Sequence, residues 1–342
     1  MKKILVTGGL GYIGSHTAVN LVEKGYEVII LDNYSNSDPQ VLQKLRKILG
    51  DKENRISFYN LDVCDKDKLQ QIFEENDIYG VIHFAGYKAV AESVAKPLKY
   101  YHNNLFSTII LLELMEKYKV YNFVFSSSAT VYGVPKKMPL DEKMSTGATN
   151  PYGRTKLWSE SIFNDLCTTN SNWKIISLRY FNPIGAHKSG EIGENPQGIP
   201  NNLVPFLTQV AVGERPKLYI YGRDYNTPDG TCIRDYIHIL DLAQGHVDAL
   251  EYLGSKDSGH SIINLGSGKG YSVLEIIKSF ENILGSELPK ENADRRKGDI
   301  PISYADITKA KEILNWEPKY SLEEMCRDSW NWQQKYPKGY NK

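Results

Sequence analysis

Short apolar runs alternate with longer stretches of mixed polarity through the first half of the chain. The runs Ile4–Val6, Val28–Leu31, Ile56–Tyr59, Val81–Phe84, Phe123–Phe125 and Ile175–Leu178 are short and mostly apolar, with the length of buried strands. Between them, Tyr12–Lys24, Pro39–Leu49, Lys68–Glu75 and Leu105–Tyr118 carry apolar residues at helical spacing with one polar face. Gly25 stands where the first helix should stop, and Asp38-Pro39 reads as a cap followed by a first-turn proline. Alternation of this kind predicts an α/β fold, a Rossmann-type doubly wound parallel sheet with helices on both faces.

Past about Arg179 the texture changes. Residues 183–232 are rich in Gly, Pro and Asn and show little period. Ile237–Ile239 and Ile262–Leu265 predict further strands, and Ser272–Leu284 a helix. The expected organisation is a dinucleotide-type domain over 1–180 and a smaller mixed α/β substrate domain over 181–342. Part of 234–265 is expected to return to the main sheet.

Bulk chemistry narrows the classes. Lys plus Arg and Asp plus Glu both total 41, so no overall field draws the chain to nucleic acid or a membrane surface. Cys64, Cys167, Cys232 and Cys326 are scattered without a CxxC, which favours thiols in a reducing compartment over disulfides or zinc. The seven His show no metal-ligand spacing, so no metal is expected. The N-terminal strand runs straight into glycines, with no room for a signal peptide, and no apolar run approaches a membrane span. The cytoplasm is the expected setting.

Three segments carry chemistry. Gly8, Gly11 and Gly14 follow the first strand and open the first helix. Glycine there permits a tight turn and lets backbone approach a pyrophosphate, while the helix offers free N–H groups and its positive end. Asp32 closes the second strand 18 residues after Gly14, where a carboxylate accepts from adenosine ribose hydroxyls and favours NAD over NADP. Asp62, after the third strand, is a further candidate at the adenine end. Ser126-Ser127-Ser128 ends the fifth strand, on the edge where open parallel sheets bind ligands. A Tyr and a Lys four residues apart share a helix face, and the cation prepares the phenol to accept a proton. With 23 Tyr and 31 Lys about two such pairs arise by chance, and three occur: Tyr132/Lys136, Tyr152/Lys156 and Tyr252/Lys256. Pro135 interrupts the first and Gly254 the last, whereas Tyr152/Lys156 opens a helix after Asn150-Pro151.

On these strings the chain resembles the extended short-chain dehydrogenase/reductase family, and within it the nucleotide-sugar epimerases acting at C4 of UDP-galactose and UDP-glucose. The resemblance runs from Lys3 to about Pro337. It is carried by residues 9–16 (GLGYIGSH), 83–86 (HFAG), 126–133 (SSSATVYG) and 150–156 (NPYGRTK). Further strings are 179–183 (RYFNP), 199–203 (IPNNL), 234–238 (RDYIH) and 295–299 (RRKGD). It implies that Tyr152, as phenolate, takes the C4 hydroxyl proton with Ser128 bridging, while hydride passes to tightly held NAD. The 4-keto sugar then turns over and regains the hydride on its other face. Lys156 is expected to lower the phenol's proton affinity and to hold the nicotinamide ribose.

The resemblance also implies contacts. Tyr12, Ile13, Asn33, Ser37, Val63, Phe84, Ala85, Gly86, Lys88, Asn103, Ser126 and Tyr180 join the glycines, Asp32 and Asp62 around NAD. Asn182, Asn202, Leu203, Tyr219 and Tyr221 lie along the nucleotide of the substrate, with Lys88 also on the substrate side. Arg234 and Arg296 clamp the diphosphate, as forked guanidinium groups suit phosphate oxygens, and Asp299 takes the uridine ribose. Sugar dehydratases of the family carry an Asp-Glu pair after the strand-end hydroxyl. Ala129 and Thr130 stand there instead, without the acid or base that elimination needs. Four residues after Asp299, members limited to plain hexoses have Tyr, and this chain has Ser303. That smaller residue implies room for a 2-acetamido group, hence UDP-GlcNAc and UDP-GalNAc as further substrates. The apolar surplus of Leu105–Tyr118 and Ser159–Leu166 implies a homodimer, with a well-packed monomer as the alternative. Epimerisation of another related nucleotide sugar is the alternative activity.

Overall fold

The computed structural model describes residues 1–340 apart from Lys256 and Lys297, so the second member of the Tyr252/Lys256 pair and the centre of the 295–299 string lie outside the described residues. The first half reads β1 (Lys3–Thr7), α1 (Tyr12–Glu23), β2 (Glu27–Asp32), α2 (Gln40–Leu49), β3 (Ile56–Asn60), α3 (Lys66–Glu75), β4 (Ile78–His83), α4 (Val90–Ala95), α5 (Pro97–Lys117), β5 (Asn122–Ser128), α6 (Pro151–Thr169) and β6 (Lys174–Tyr180). The rest reads β7 (Asn182–Ile184), α7 (Leu203–Ala211), β8 (Leu218–Tyr221), β9 (Ile233–His238), α8 (Ile239–Ser255), β10 (Gly259–Leu265), β11 (Gly270–Ser272), α9 (Val273–Leu284), β12 (Lys290–Ala293), β13 (Ile302–Ser303), α10 (Thr308–Leu314), α11 (Leu322–Lys335) and β14 (Pro337–Tyr340).

Among the described residues the main sheet has seven parallel strands in the order β10-β6-β5-β4-β1-β2-β3. The order reverses between β1 and β4, and in open sheets of this kind ligands bind at such a reversal, outside the strands' carboxyl ends. Period-two alternation divides the strands between two cores. Ile4, Val6, Val28, Ile30, Ile82 and Val124 face one core with Leu21 of α1 and Leu250 of α8. Leu5, Ile29, Leu31, Val81, Phe123 and Phe125 face the other, with Leu111 of α5 and Phe163 of α6. Burial on both faces is why these strands are continuously apolar in sequence. A second sheet joins β11, β9 and β13, with β7 paired to β9, and β8 pairs with β12. A third core of Leu207, Ile220, Ile276 and Phe280 lies beneath them.

The doubly wound α/β expectation holds, with differences in detail. Phe84 has already left β4, and the strand expected at Ile237–Ile239 is β9, Ile233–His238, with Ile239 opening α8. The apolar run there crosses a strand–helix junction, so polarity cannot mark it. The stretch 183–232 contains α7 and β8, elements too short to establish a period. The Leu105–Tyr118 and Ser159–Leu166 segments are parts of longer helices, α5 and α6. No helix among the described residues is long and apolar enough to cross a membrane.

Candidate active site

The glycine loop is closed by backbone. Gly8 N–H donates to Leu31 O at 2.7 Å and Gly11 N–H to Gly8 O at 3.1 Å. Gly8 has φ +66°, and a Cβ there would stand 2.9 Å from Ala85 N in the turn after β4. A Cβ on Gly14 would stand 2.4 Å from Gly8 O. Gly11 precedes α1 with no side-chain cap, so the helix's leading N–H groups are free for an anion. Tyr12 does not point its hydroxyl at this loop. It donates to Gly185 O at 2.6 Å, tying α1 to the segment after β7.

At the end of β2, buried Asp32 accepts from Leu10 N–H at 3.0 Å, Tyr34 N–H at 2.9 Å and the Ser37 hydroxyl at 2.7 Å. Asp62 accepts from the Asn33 amide at 2.9 Å and from Cys64 N–H at 2.8 Å, which fixes the adenine-end residues as one group. The Cys64 thiol reaches Asn103 O at 4.0 Å. Val63 and Phe84 are core contacts, Phe84 lying 4.7 Å from the His246 ring. Asn104, which the sequence reading passed over, pins the loop after β4. Its Oδ1 accepts from Tyr87 N–H at 2.8 Å, and its amide donates to Tyr87 O at 3.0 Å and to the Thr155 hydroxyl at 3.3 Å. It stands beside Gly86, whose added Cβ would meet it at 3.3 Å.

The catalytic candidates converge from β5 and α6. Ser128 is the last residue of β5 and is paired with Tyr180 of β6. Asn150 caps α6 by accepting from Gly153 N–H at 2.9 Å, and Pro151 occupies the first turn, so the helix start that aims Tyr152 is set locally. Burial raises the Tyr152 phenol above its ordinary pKa, and the hydrogen bond with Ser128 works against that rise. Lys156 is buried, its ammonium 4.7 Å over the Phe125 ring and 5.9 Å from the centre of the Tyr152 ring. Burial pulls it down to about 7, and the carboxylate of Glu160, one turn on, opposes this.

Glu160 belongs to a buried network that sequence spacing does not reveal. It accepts from the Ser127 hydroxyl at 2.6 Å and pairs in a fork with Arg179 of β6, at 3.0 and 2.6 Å. Arg179 lies 4.7 Å over the Tyr132 ring, whose hydroxyl donates to Asn264 at 2.7 Å. Tyr132 of the chance pair Tyr132/Lys136 is therefore a structural phenol, and Tyr180 is buried with its hydroxyl 3.2 Å from His246.

The substrate candidates form a second group. Tyr219 and Tyr221 project from the same face of β8, ring centres 6.4 Å apart and both exposed. The Arg296 guanidinium lies 5.1 Å over the Tyr221 ring and its Nε donates to Asp299 at 3.0 Å, while Arg234 approaches the other Asp299 oxygen at 4.0 Å. Ser303 is buried on β13, in register with Arg234 on β9. Asp235 was missed by the sequence reading and anchors this corner. Fully buried, it accepts from Ser267 N–H and hydroxyl, Gly268 N–H and Ala305 N–H, at 2.6 to 3.1 Å. Asn182 sits on β7, and Leu203 starts α7. Between the two groups stands Glu194, also missed, which takes Lys88 at 3.2 Å and the Asn202 amide at 3.0 Å on one oxygen. A lone Glu in a loop gives no sequence signal for such a role.

Comparison with known proteins identifies the family. Residues 5–329 match the family model described as GDP-mannose 4,6 dehydratase. A Bacillus subtilis UDP-glucose 4-epimerase is 56% identical over 98% of this chain and 98% of its own. The crystal structure of a Bifidobacterium longum UDP-glucose 4-epimerase, in complex with NAD+ and UDP, has a TM-score of 0.95 at 49% identity, covering 99% of this chain and 100% of the other. A UDP-Glc/GlcNAc 4-epimerase from Campylobacter jejuni has a TM-score of 0.84 at 36% identity, covering 98% and 100%. The chain belongs to the UDP-glucose 4-epimerases of the extended short-chain dehydrogenase/reductase family.

Proposed function

We propose that this chain interconverts UDP-galactose and UDP-glucose at C4 using NAD that it retains through the cycle. The observation that carries the reading is the meeting of Ser128, Tyr152 and Lys156 at the sheet edge beside the closed glycine loop. The cradle fits a dinucleotide: its glycines leave no room for a side chain, the amides opening α1 lack a cap, and Asp32 stands at the ribose end. Gly8, Gly11 and Gly14 would hold the pyrophosphate, and Asp32, Asn33, Ser37 and Asp62 the adenosine. NAD bound there supplies a hydride acceptor that can give back what it takes.

The chain's own residues do the remaining work. Tyr152 takes the C4 hydroxyl proton and later returns it. Lys156, as ammonium, stabilises the phenolate by its charge and holds the ribose. Arg234 and Arg296 hold the diphosphate, Asp299 the uridine ribose, and Tyr219 and Tyr221 flank the base. Anchoring at the nucleotide leaves the sugar free to present its other face. On this reading residues 1–180 hold the dinucleotide and most of 181–342 the nucleotide sugar, with β10 completing the main sheet.

The same reading extends to UDP-GlcNAc and UDP-GalNAc. The Tyr304 ring stands by Gly270, 3.4 Å from where a Cβ would be, and this placement supports a pocket beside Ser303 that Tyr304 does not fill. The dual name of the Campylobacter jejuni neighbour supports this. A homodimer through α5 and α6 is also part of the proposal, since Phe106, Ile109 and Trp158 are exposed on them and Trp158 stacks on Tyr101 at 5.2 Å. A monomer mass by light scattering would remove that element.

Proton NMR of the purified protein with UDP-galactose, and separately UDP-GlcNAc, no cofactor added, tests the activity. Conversion of both is expected. Conversion of UDP-galactose alone would discard the role of Ser303, and conversion of neither, even with NAD added, would move the reading to another nucleotide sugar. Ser303→Tyr should abolish UDP-GlcNAc turnover and spare UDP-galactose.

A further inference from the structure

Glu194 holds one donor from each half of the molecule on a single oxygen. Its Oε1 accepts from the Lys88 ammonium at 3.2 Å and from the Asn202 amide at 3.0 Å. Lys88 lies in the loop after β4 and Asn202 immediately before α7, so the carboxylate spans the dinucleotide half and the substrate half. The backbone is tied down at all three points. On either side of Lys88, Asn104 bonds both the N–H and the carbonyl of Tyr87, and Ala89 N–H donates to the Tyr100 hydroxyl at 3.1 Å. Asn202 O accepts from Phe206 N–H in the first turn of α7. Before Glu194, Gly193 lies so close on the Trp332 ring that a Cβ would stand 2.4 Å from it, and Glu191 is gripped by Lys47 and Lys335 at 2.5 and 2.6 Å. The two donor side chains have no such support of their own. Lys88 and Asn202 are exposed, whereas only 10% of the Glu194 side chain is. Asn202 occupies the N-cap position of α7, where an Asn side chain ordinarily accepts from the helix's leading amides, yet it makes no such bond. Its amide nitrogen is turned to Glu194 instead.

We propose that Glu194 is a positioning residue that holds the Lys88 ammonium and the Asn202 amide together on its Oε1, so that the diphosphate of the nucleotide sugar meets both donors already placed. The inference rests on the function proposed above and deepens it by naming what orders two of its contacts. An ammonium has three N–H groups and an amide nitrogen two. Glu194 takes one from each, and the others remain for a second acceptor. Two nitrogens that share one oxygen lie close enough for a single diphosphate to meet both, and the diphosphate is the anionic, acceptor-rich part of the substrate. Long exposed side chains lose rotamer freedom when a ligand fixes them, and fixing them beforehand removes that loss from binding. A carboxylate beside an anion also repels it, an effect of opposite sign. The ion pair with Lys88 already offsets that charge, so the ordering of the donors outweighs the repulsion.

The test is steady-state turnover of UDP-galactose by the NAD-loaded enzyme, with calorimetric binding of UDP as a second readout. Glu194→Met keeps the length of the side chain and removes the acceptor. KM and the dissociation constant for UDP should both rise about tenfold, the equivalent of one hydrogen bond to a charged group. The value of kcat and the NAD bound per polypeptide should be unchanged. Glu194→Gln keeps an oxygen at the same place and drops the charge, so its KM should stay within about threefold of wild type. In a Lys88→Met, Asn202→Ala background Glu194→Met should have no further effect, because the groups it orders are gone. A merely structural role would keep its full effect there. An unmoved KM, an equal fall in kcat, tighter UDP binding in either variant, a Glu194→Gln protein as weak as Glu194→Met, or a full further loss in the double background would each overturn the proposal. Should Glu194→Met not fold, Glu194→Ala serves the same comparisons. A wild-type protein that neither binds UDP nor turns over UDP-galactose would instead sink the proposed function itself, which keeps the two failures distinct.

Discussion

Gly14→Ala sets two effects of opposite sign against each other. Gly14 lies inside α1, where its φ is not positive, so helix propensity alone favours alanine by about 1 kcal/mol. The structure opposes this, because the new Cβ would stand 2.4 Å from Gly8 O, 2.8 Å from Gly9 Cα and 3.1 Å from the Gly8 carbonyl carbon. All three are backbone atoms, and ordinary contact begins near 3.4 Å. The loop must move by about 1 Å, and strain of this sort costs about 1–3 kcal/mol in a packed site. Moving the loop also displaces the amides meant for the pyrophosphate, so the loss should fall mainly on NAD retention, by about 10- to 100-fold. Bound NAD per polypeptide after gel filtration, with thermal melting with and without added NAD, measures it. Gly147→Ala is the control, since a Cβ there meets nothing within 4 Å. A Gly14→Ala protein that keeps its NAD and melts higher than wild type would show that propensity outweighs the contact, refuting the argument.

Tyr152→Phe should lower kcat by about 10²- to 10⁴-fold with binding of UDP preserved, measured by NMR turnover and calorimetry; a loss under tenfold would remove Tyr152 as the base. Arg296→Ala removes an anchor remote from the reacting carbon, so KM for UDP-galactose should rise roughly tenfold at nearly constant kcat, and an equal fall in kcat would contradict that division. Glu160→Gln leaves buried Arg179 without its carboxylate and should cost about 3–5 kcal/mol in denaturant unfolding. His83 is buried between Thr7 and Thr108, and burial lowers its pKa to about 3 from 6.5. Because the unfolded chain takes up this proton first, its contribution is present above pH 6.5 and lost as pH falls toward 3. His83→Gln should therefore flatten the loss of stability between pH 6.5 and 4.5, and an unchanged slope in melting experiments would exclude it.

The parts of the site legible in the sequence are those whose geometry is local. The glycine loop is legible because one turn between β1 and α1 fixes which positions must lack a Cβ. Tyr152 and Lys156 are legible because a helix period puts them on one face, and Asn150-Pro151 says where that helix starts. Five of the six strands of the first half are legible because each is buried on both faces, and the edge strand β3 only partly so. Resemblance extended this to Arg234, Arg296, Asp299 and Ser303, which no spacing rule would have joined.

The sequence by itself thus determined the doubly wound core, the dinucleotide cradle and the catalytic pair. Only the tertiary structure decided what holds them in place. Asn104 meets the loop after β4, Glu160 meets Arg179 and Ser127, and Glu194 bridges Lys88 to Asn202, across separations of 8 to 106 residues. Asp235 gathers four donors from two other segments in the same way. A single polar residue far from its partner leaves no periodic trace. Its role is set by burial, which makes an unmet hydrogen bond costly and a met one decisive, and burial exists only after the chain has folded.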